Sequence, residues 1–564
     1  MSVASPGRTE PAAPGPRFEK RRRNTFRLSQ QLAWSGGLFL CSFAAYFALG
    51  LRVVVQQHVV PFDALARLAH AYFVWWNLPP KLAAIGFVWP PLSTLVFLPV
   101  AGIRPLATSL VALPLTTAFF AGLLMVLLDR TLALARLGWK GRLPLLVAFG
   151  VNQMIVFYAV NGMSEIVYLT FLVAGVYFFL RWFLSRESRF IVVTAVAFAF
   201  GVLSRYEVLS WAALLTVALV AAMIRQRVTR TQIEGSVLAY LAPVVYALGL
   251  WLFVNWLIIG HPLYFLSQQA PGFAQSTPTT TPLLPTPTPG NTRLPLTTIA
   301  RELVTLNWQL FMPAIVVAIV LIATFLLRRD LMAAALAGFI ALNAFFTGVL
   351  IWTSGNVGLL QLRYNMRAMP LAVVGIAWLL LTARRARTRA VIWVTSLALL
   401  LVALPITWHT MKTYRFQFLE QAFTRAIATG KSQEGKSSVG GYVVGIDPEQ
   451  QMADWIVRHV HRRNAILTDD AQSFSVMLLT GHPDWFVDRI DHGDTQWLAT
   501  LDDPFGHVQY LLVSNVASND LARYRYPYLF TQGEAGFTRA YTTPHFVLFR
   551  VARALPPTHQ HGQG

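Results

Sequence analysis

Long apolar segments separated by short polar ones make up the first three quarters of the chain. A helix needs roughly 20 apolar residues to cross the hydrocarbon layer, and it satisfies its own backbone hydrogen bonds there. We predict eleven transmembrane helices from these segments, near residues 34–55, 106–128, 143–160, 165–182, 190–204, 207–224, 237–258, 309–327, 331–352, 366–383 and 390–410. The pattern therefore predicts an α-helical polytopic membrane protein.

Composition agrees with this prediction, because the 564 residues are 55% apolar and only 13% charged, which is more apolar than one soluble core requires. The first apolar segment, Trp34 to Val55, is too long for a signal-peptide core and lacks a clear cleavage site, so we predict a retained span. It contains Cys41, the single cysteine of the chain, so an intrachain disulfide is excluded.

The net charge of +21 would suit a nucleic-acid partner if the basic residues formed one patch, but they are grouped between the apolar segments. The groups lie at every second membrane exit: 17–27, 130–142, 181–189, 225–230, 328–329 and 384–389. Cytoplasmic loops carry an excess of Lys and Arg. We therefore predict a multi-pass plasma-membrane protein with a cytoplasmic N-terminus, an extracytoplasmic C-terminal domain and no nucleic-acid partner.

Four regions follow from these boundaries: a basic cytoplasmic tail (1–30), a membrane domain (31–411), an extracytoplasmic domain (412–555) and a disordered tail (556–564). In the extracytoplasmic domain the short β-like runs AILTD, YLLVS and HFVLFRV alternate with helical stretches such as EQQMADWIVRHVHR. This alternation predicts a small α/β fold.

Two outer loops are long, 56–105 and 259–307. The first contains the apolar segment 92–103, which is too short to cross the bilayer and is therefore re-entrant or interfacial. The second contains STPTTTPLLPTPTPG, whose prolines favour an extended segment that serves as a linker or as a substrate lid.

Carboxylates are scarce on the outer side of the membrane domain, which leaves four candidate bases: Asp63, Glu165, Glu207 and Glu302. Asp63 begins a helical pattern in which Arg67 and His70 lie on the same face, at i+4 and i+7. The opposite face is apolar and aromatic, so the segment also fits an interfacial helix. On such a helix Asp63 and Arg67 would form only a solvated ion pair.

Glu165 follows an Asn-Gly-Met-Ser turn, where it also fits a helix cap. Basic side chains on the same outer side include Lys81, Arg205 and Arg363. Snorkelling accounts for any one of them. A sparse set of cations at outer helix ends, against the positive-inside trend and beside so few acids, indicates instead an anionic ligand at the outer membrane surface.

These residues lie in a series of short motifs: Asp63 after the first span, WPPL (89–92), NGMSE (161–165), LSRYE (203–207), NWLIIGHPLYF (255–265) and LRYNMRAMP (362–370). In order and sidedness the series resembles the GT-C superfamily of polyprenyl-phosphate-sugar-dependent glycosyltransferases. The resemblance is to the group that contains protein O-mannosyltransferases and the lipid A aminoarabinose transferase, and it covers roughly residues 30–411.

The resemblance implies inverting transfer of a sugar from a polyprenyl-phosphate donor to an extracytoplasmic lipid, protein or cell-envelope glycan. Asp63 would be the base that takes the proton of the acceptor hydroxyl, and a single displacement needs no second carboxylate. The leaving phosphate needs cations, and Arg205, Arg363 and Lys81 are the candidates. The full set to which we assign substrate contacts is Arg67, His70, Lys81, Glu165, Arg205, Glu207, His261 and Arg363.

Two positions depart from the family pattern. Ala64 follows Asp63 where many relatives have Glu, which removes a substrate contact or metal ligand. This departure puts a metal requirement in doubt. We assign no metal-ligating residue, and a divalent cation as cofactor is left open. Trp89 precedes the proline pair where relatives often have a basic residue, which weakens the transfer of phosphate contacts to that segment.

Other readings of the chain remain open. A transporter or flippase for an anionic lipid-linked substrate would show ionisable residues near mid-span, interrupted helices and an internal repeat. An inert membrane scaffold for the α/β domain would make Asp63 dispensable, and a cell-envelope polymerase would differ chiefly in its donor. Acids and a histidine crowd into one stretch of that domain, which would allow a cation site. Their spacing fits no EF-hand loop, and we interpret them as ordinary solvated groups: Asp469, Asp470, His482, Asp484, Asp488, Asp491 and Asp494.

Overall fold

The computed structural model describes residues 16–87, 89–264, 295–354, 357–439, 441–516 and 520–553. The proline-rich segment of the predicted second outer loop, residues 1–15 and the C-terminal tail predicted to be disordered lie outside the described residues. In chain order, the membrane part contains α1 (Pro16–Gly50), α2 (Phe62–Trp76), α3 (Leu92–Leu95), α4 (Leu98–Ala101), α5 (Arg104–Thr108), α6 (Ala112–Leu134), α7 (Trp139–Gly150), α8 (Gln153–Val160), α9 (Ser164–Ser185), α10 (Arg189–Ser204), α11 (Val208–Arg225), α12 (Arg230–Ile259), α13 (Leu296–Arg328), α14 (Leu331–Ser354), α15 (Ala368–Thr382) and α16 (Ala386–Thr413).

Within the described residues, nine helices are long and apolar enough to cross a membrane. A tenth candidate is the pair α7 and α8, which are bent by 73° at their junction, and α10 is apolar but shorter. Each of the eleven predicted spans coincides with one of these elements. The protein is thus a polytopic membrane protein, while the number of helices that cross remains a prediction.

Helix α13 begins at Leu296, so the predicted loop 259–307 ends earlier than its predicted boundary. The added turns are helical because Ile299, Leu303 and Leu306 recur at helical spacing and are buried. The helix is interrupted at Phe311, with φ −160° and ψ 74°. Pro313 follows two residues later and cannot donate a helix hydrogen bond. The predicted span therefore matches the half of α13 that follows the interruption.

The C-terminal part folds as an α/β domain, which confirms the prediction. Its elements are α17 (Glu420–Thr429), α18 (Asp447–His459), β1 (Ile466–Thr468), α19 (Asp470–Thr480), β2 (Phe486–Val487), α20 (Arg489–Asp502), β3 (Tyr510–Ser514), α21 (Leu521–Arg525), β4 (Phe537–Thr542) and β5 (Phe546–Val551). The sheet order is β2-β1-β3-β5-β4. Strands β1, β2 and β3 are parallel, while β5 is antiparallel to β3 and β4. The three predicted β-like runs are β1, β3 and β5.

Three acids of this domain are not solvated, contrary to the sequence interpretation. Asp469 and Asp470 follow β1, Asp488 follows β2, and each side chain is at most 2% exposed. The side chain of Asp469 caps α19 by accepting a hydrogen bond from Ala471 N at 3.2 Å. Burial raises the pKa of Asp470 well above its ordinary value despite the nearby positive charge of Arg489.

Helix α2 is buried under this domain, which excludes the interfacial-helix interpretation for this segment. All residues from Ala64 to Phe73 are buried. The ring of Phe62 packs edge-on against Phe474 of α19 at 5.3 Å, and the Tyr72 hydroxyl donates to the Gly481 carbonyl at 2.8 Å. The α/β domain therefore fixes the position of the helix that carries Asp63.

We expect Gly162→Ala to destabilise the junction between α2 and α9. Gly162 has φ +80°, and an added Cβ would lie 2.7 Å from Leu113 Cδ2 and 3.1 Å from the Cβ of Ala64, the neighbour of Asp63. Strain and overpacking together predict a loss of about 2–4 kcal/mol in the free energy of unfolding. The unfolding temperature of protein purified in detergent measures this loss.

Gly249→Ala is the matched control, because an added Cβ at this position in α12 meets no atom within 4 Å. The extra methyl group should leave stability unchanged or raise it by up to about 1 kcal/mol. Equal unfolding temperatures for the two variants would contradict the packing described for Gly162.

Candidate active site

Asp63 lies in the first turn of α2, where the positive end of the helix dipole favours a carboxylate. Its Oδ2 atom accepts a hydrogen bond from Arg363 Nη1 at 2.8 Å. This partner lies 300 positions further along the chain and replaces the local pair with Arg67 that the helical spacing allowed. The Asp63 side chain is 21% exposed, so a ligand can reach it.

The charges around Asp63 keep it ionised. Burial alone would raise its pKa, but the positive charges of Arg363 and Arg67, with the hydrogen bond from Arg363, hold the pKa below the ordinary 3.8. Asp63 is therefore a carboxylate at neutral pH and can accept a proton.

Arg363 is positioned by a short 3-10 turn, Leu362–Asn365. The buried Asn365 fixes this turn: its side-chain oxygen accepts from Asn307 Nδ2 at 3.2 Å, and its carbonyl accepts from Asn343 Nδ2 at 3.1 Å. The amides of α13 and α14 thus hold the motif LRYNMR in place.

Arg205 joins two of the four carboxylates that the sequence offered as candidate bases. It contacts Glu165 of α9 at 2.7 Å and Glu207 at 2.9 Å. Glu207 also accepts from Arg367 Nη2 at 2.6 Å. Arg367 was not among the predicted site residues, although it lies one helical turn after Arg363 in the same motif. Glu165 is thus in the first turn of its helix, as predicted, and is also an ion-pair partner.

Tyr364 lies between the Asp63–Arg363 pair and the ion pairs of Arg205. The guanidinium of Arg205 lies 5.6 Å from the Tyr364 ring centre, and that of Arg363 lies 5.0 Å from it. The result is one buried network of three carboxylates and four guanidinium groups: Asp63, Glu165, Glu207, Arg67, Arg205, Arg363 and Arg367.

Arg67 has a different environment from the other three arginines. Its side chain is buried, and within the described residues no carboxylate oxygen lies within 4.0 Å of its nitrogens. Its Nη1 reaches only the sulfur of Met163 at 3.7 Å, its Nε has no hydrogen-bond partner, and its guanidinium lies 4.6 Å from the Trp89 ring centre. Trp89, which stands before the proline pair, thus forms a cation–π contact with Arg67.

The other predicted site residues occupy the edge of the network. His70 Nδ1 donates to the Ala84 carbonyl at 2.7 Å and so holds the turn after Lys81. Lys81 Nζ donates to the Ile490 carbonyl of the α/β domain at 3.3 Å. His261 is exposed after α12 and, within the described part of the chain, makes no side-chain hydrogen bond or ion pair with this network.

Two acids are distinguished from the network by their surroundings. Glu302 is 39% exposed and lies 4.0 Å from Arg415, so the structure separates it from the other three candidate carboxylates. Glu420 of α17 is fully buried and accepts from the Tyr158 hydroxyl at 2.9 Å. Burial raises its pKa despite hydrogen bonds that act in the opposite direction. Sequence reasoning missed Glu420 because it lies beyond the membrane domain.

We expect Glu207→Gln to destabilise the protein by about 3 kcal/mol or more, since among the described residues the change leaves Arg367 without a carboxylate partner and Arg205 with Glu165 alone. Burial would raise the pKa of Glu207, but these arginines outweigh it and lower the pKa to about 2 from the ordinary 4.5. A lowered pKa means that the contribution is complete above pH 4.5 and is lost as the pH falls towards 2.

The difference in unfolding temperature between wild type and Glu207→Gln should therefore be constant above pH 5 and shrink below about pH 4.5. Glu302→Gln, the same change at an exposed position, should alter stability by less than about 1 kcal/mol. A pH-independent difference between wild type and Glu207→Gln would contradict the charge network.

Among the residues with described side chains, one group of three or more ligand residues comes close enough to share a metal ion: His58, Glu434 and Asp447. Asp63 is not part of it, and its direct partner is a guanidinium group.

No family model matches the chain, and no curated protein gives a significant match. The chain is similar to a crystal structure of ArnT from Cupriavidus metallidurans bound to undecaprenyl phosphate, with a TM-score of 0.56 and 12% identity over 92% of this chain and 98% of that one. The apo structure of the same protein gives 0.53 and 13% identity over 92% and 99%. The chain therefore shares the overall fold of ArnT over most of its length.

Proposed function

We propose that the protein is an inverting glycosyltransferase that moves one sugar from a polyprenyl-phosphate carrier to an extracytoplasmic acceptor. The observation that carries the proposal is the partly exposed carboxylate of Asp63, held by Arg363 beside the guanidinium of Arg67, which has no carboxylate partner among the described residues. The similar ArnT structure contains undecaprenyl phosphate, which supports the same class of donor here.

In this proposal Asp63 takes the proton of the acceptor hydroxyl as its oxygen attacks the anomeric carbon. The bond between that carbon and the phosphate oxygen breaks in the same step, and the leaving group is the polyprenyl phosphate. One carboxylate suffices, because a single displacement needs a base but no enzyme nucleophile. The lowered pKa of Asp63 suits this role, since the base must be ionised before it reacts.

The leaving phosphate would be stabilised by the surrounding cations. A buried guanidinium without a charged partner is costly, and a phosphate would supply the partner that Arg67 lacks among the described residues. Arg363 and Arg205 would add positive charge to the same region, and Lys81 would approach from the first outer loop. Charge-assisted hydrogen bonds between arginine and phosphate are among the strongest available.

The remaining assigned residues have supporting roles in the proposal. Glu165 and Glu207 would hold Arg205 in place, and His70 would position the turn after Lys81. His261 is proposed as a substrate contact from its motif alone. The α/β domain, which covers α2, would guide the acceptor.

Helix α9 supports the sidedness of this site. Glu165 lies in its first turn, and Arg181 and Arg186 lie at its other end. A helix of 22 residues is about 33 Å long, close to the thickness of the hydrocarbon core. The positive-inside rule assigns the arginine end to the cytoplasm, so we propose that the site faces the extracytoplasmic side.

One observation favours the transporter alternative: α13 and the pair α7 and α8 are interrupted helices. The ionic groups argue against it. Asp63 lies on a helix outside the predicted spans, Arg205 and Glu207 lie between α10 and α11, and Glu165 and Arg363 lie at the first turns of their spans. A site at one membrane face suits an enzyme better than a transport path through the bilayer centre.

The test is a panel of synthetic polyprenyl-phosphate sugars supplied to wild-type protein in lipid nanodiscs, with release of polyprenyl phosphate as the readout. We expect at least one donor to be consumed. If none is consumed with any lipid, peptide or glycan acceptor, while liposomes containing the protein translocate the intact donor, the transporter alternative replaces the proposal.

A further inference from the structure

A second cluster of polar groups lies where the first span meets the C-terminal part. His58 Nδ1 is 2.9 Å from Glu434 Oε2 and 3.2 Å from Asp447 Oδ1. The three ligand atoms all lie within 4.8 Å of one another. These groups come from the connector before α2, from the segment after α17 and from the first residue of α18, so the tertiary fold alone brings them together.

We propose that His58, Glu434 and Asp447 bind a zinc ion. One imidazole nitrogen and two carboxylate oxygens form a ligand set that suits Zn²⁺, whereas Mg²⁺ and Ca²⁺ prefer oxygen ligands alone. Zinc binding takes the imidazole in its neutral form, and the two carboxylates then carry two negative charges, which a divalent cation neutralises. The side chains are 27%, 20% and 46% exposed, which leaves room for water as a fourth ligand.

The carboxylate of Glu434 is oriented before any ion binds. Its Oε2 accepts from Ile446 N at 3.0 Å, and its Oε1 accepts from Asp447 N at 3.1 Å. It also lies directly against the Cα of Gly445, where φ is +118° and a side chain would collide with the carboxylate. Such outer contacts fix ligand geometry and typically contribute to metal affinity.

The backbone on the other side is fixed as well. Gln433 N donates to the Gln57 carbonyl at 2.9 Å, and Gln57 Nε2 donates to the Ala426 carbonyl at 3.2 Å. His58 itself has φ +56°, a conformation that histidine adopts more readily than most residues. The two ligand-bearing segments are therefore already held in register.

The zinc ion would fix the position of a hairpin that lies near Asp63 and Arg363. The hairpin is closed by an isolated antiparallel bridge between Ser437 and Val443. It carries Tyr442, whose ring packs against Phe418 at 4.4 Å, and the Arg363 guanidinium lies 4.8 Å from the Phe418 ring centre. His58 precedes Asp63 by five positions. One zinc ion would therefore hold together the segment that leads to the proposed base and the hairpin that carries Tyr442.

Zinc binding is tested on full-length protein in nanodiscs after chelator treatment, by calorimetric titration with ZnCl₂. The test variant is His58→Gln, because glutamine can still donate hydrogen bonds to both carboxylates but is a poor zinc ligand. The matched control is His545→Gln, which removes a histidine that pairs with the single carboxylate of Glu449 at 2.8 Å.

We expect wild type and His545→Gln to bind one more Zn²⁺ than His58→Gln, or to bind it at least about tenfold more tightly. Zinc should also slow tryptic cleavage after Lys436, in the hairpin, in the first two proteins only. Equal binding by all three proteins, or no binding by wild type, would overturn the proposal and leave a hydrogen-bonded contact. Neither readout uses turnover, so this test stands apart from that of the proposed function.

Discussion

Replacing Asp63 with asparagine is expected to lower sugar transfer by roughly 10²–10⁴-fold, the usual contribution of a positioned general base. Asparagine has nearly the same shape but accepts no proton at neutral pH. The measurement is initial turnover with the donor identified from the panel, on protein whose elution profile and unfolding temperature match those of wild type. Glu302→Gln, the same chemical change at the outer carboxylate that lies apart from the network, should retain wild-type turnover.

A second variant separates the loss of the base from the loss of an ion pair. Asp63→Asn leaves Arg363 without its carboxylate, so the double variant Asp63→Asn with Arg363→Met removes both charges. If the double variant regains turnover, the unpaired arginine caused the defect and Asp63 is not the base. Wild-type turnover in Asp63→Asn alone would transfer the role to Glu165 or Glu207.

Arg363→Met is expected to lower turnover at neutral pH by about 10²-fold, because Arg363 fixes the geometry of the base and a displacement of about 1 Å has an effect of this size. It should also change the pH dependence. In wild type the positive charges of Arg363 and Arg67 hold the pKa of Asp63 below 3.8, so kcat/KM should stay constant with falling pH until below that value.

Without Arg363, burial is less opposed and the pKa of Asp63 rises. The protonated, inactive form then appears at higher pH, and the acidic limb of kcat/KM should shift upward. A merely structural role would lower turnover equally at every pH. An unchanged acidic limb in a folded Arg363→Met variant would therefore contradict the assignment of Arg363 as a positioning residue for Asp63.

The sequence singled out Asp63 as the candidate base because few carboxylates lie on the predicted outer side, and this one stands isolated along the chain. Its partner could not be located in the same way. Arg363 lies 300 positions away, and helical spacing offered Arg67 as a nearer partner. The periodicity of α2 predicts which of its residues share a face. It does not predict which distant element packs against that face.

Burial was the feature least accessible to the sequence. The aromatic and charged faces of α2 fit an interfacial helix equally well until α19 was seen to cover it. Asp469, Asp470 and Asp488 looked like solvated loop acids because acids usually are, although they lie at the ends of β1 and β2 inside the domain. Each depends on contacts between segments far apart in the chain.

The elements themselves were more predictable. Apolar length gave the long helices, and β-branched runs gave β1, β3 and β5, because both signals are local. Helix α13 shows the limit of such signals: hydropathy marked the part after Phe311, while the preceding turns owe their helical form to a narrow buried stripe.

The central claim, a single displacement with Asp63 as base, is tested most directly by the anomeric configuration of the product. A donor labelled with ¹³C at the anomeric carbon, converted by wild-type protein and followed by NMR, reports this configuration without further assumption. We predict inversion relative to the donor. Retention would require a covalent glycosyl intermediate on an enzyme nucleophile and would contradict the account.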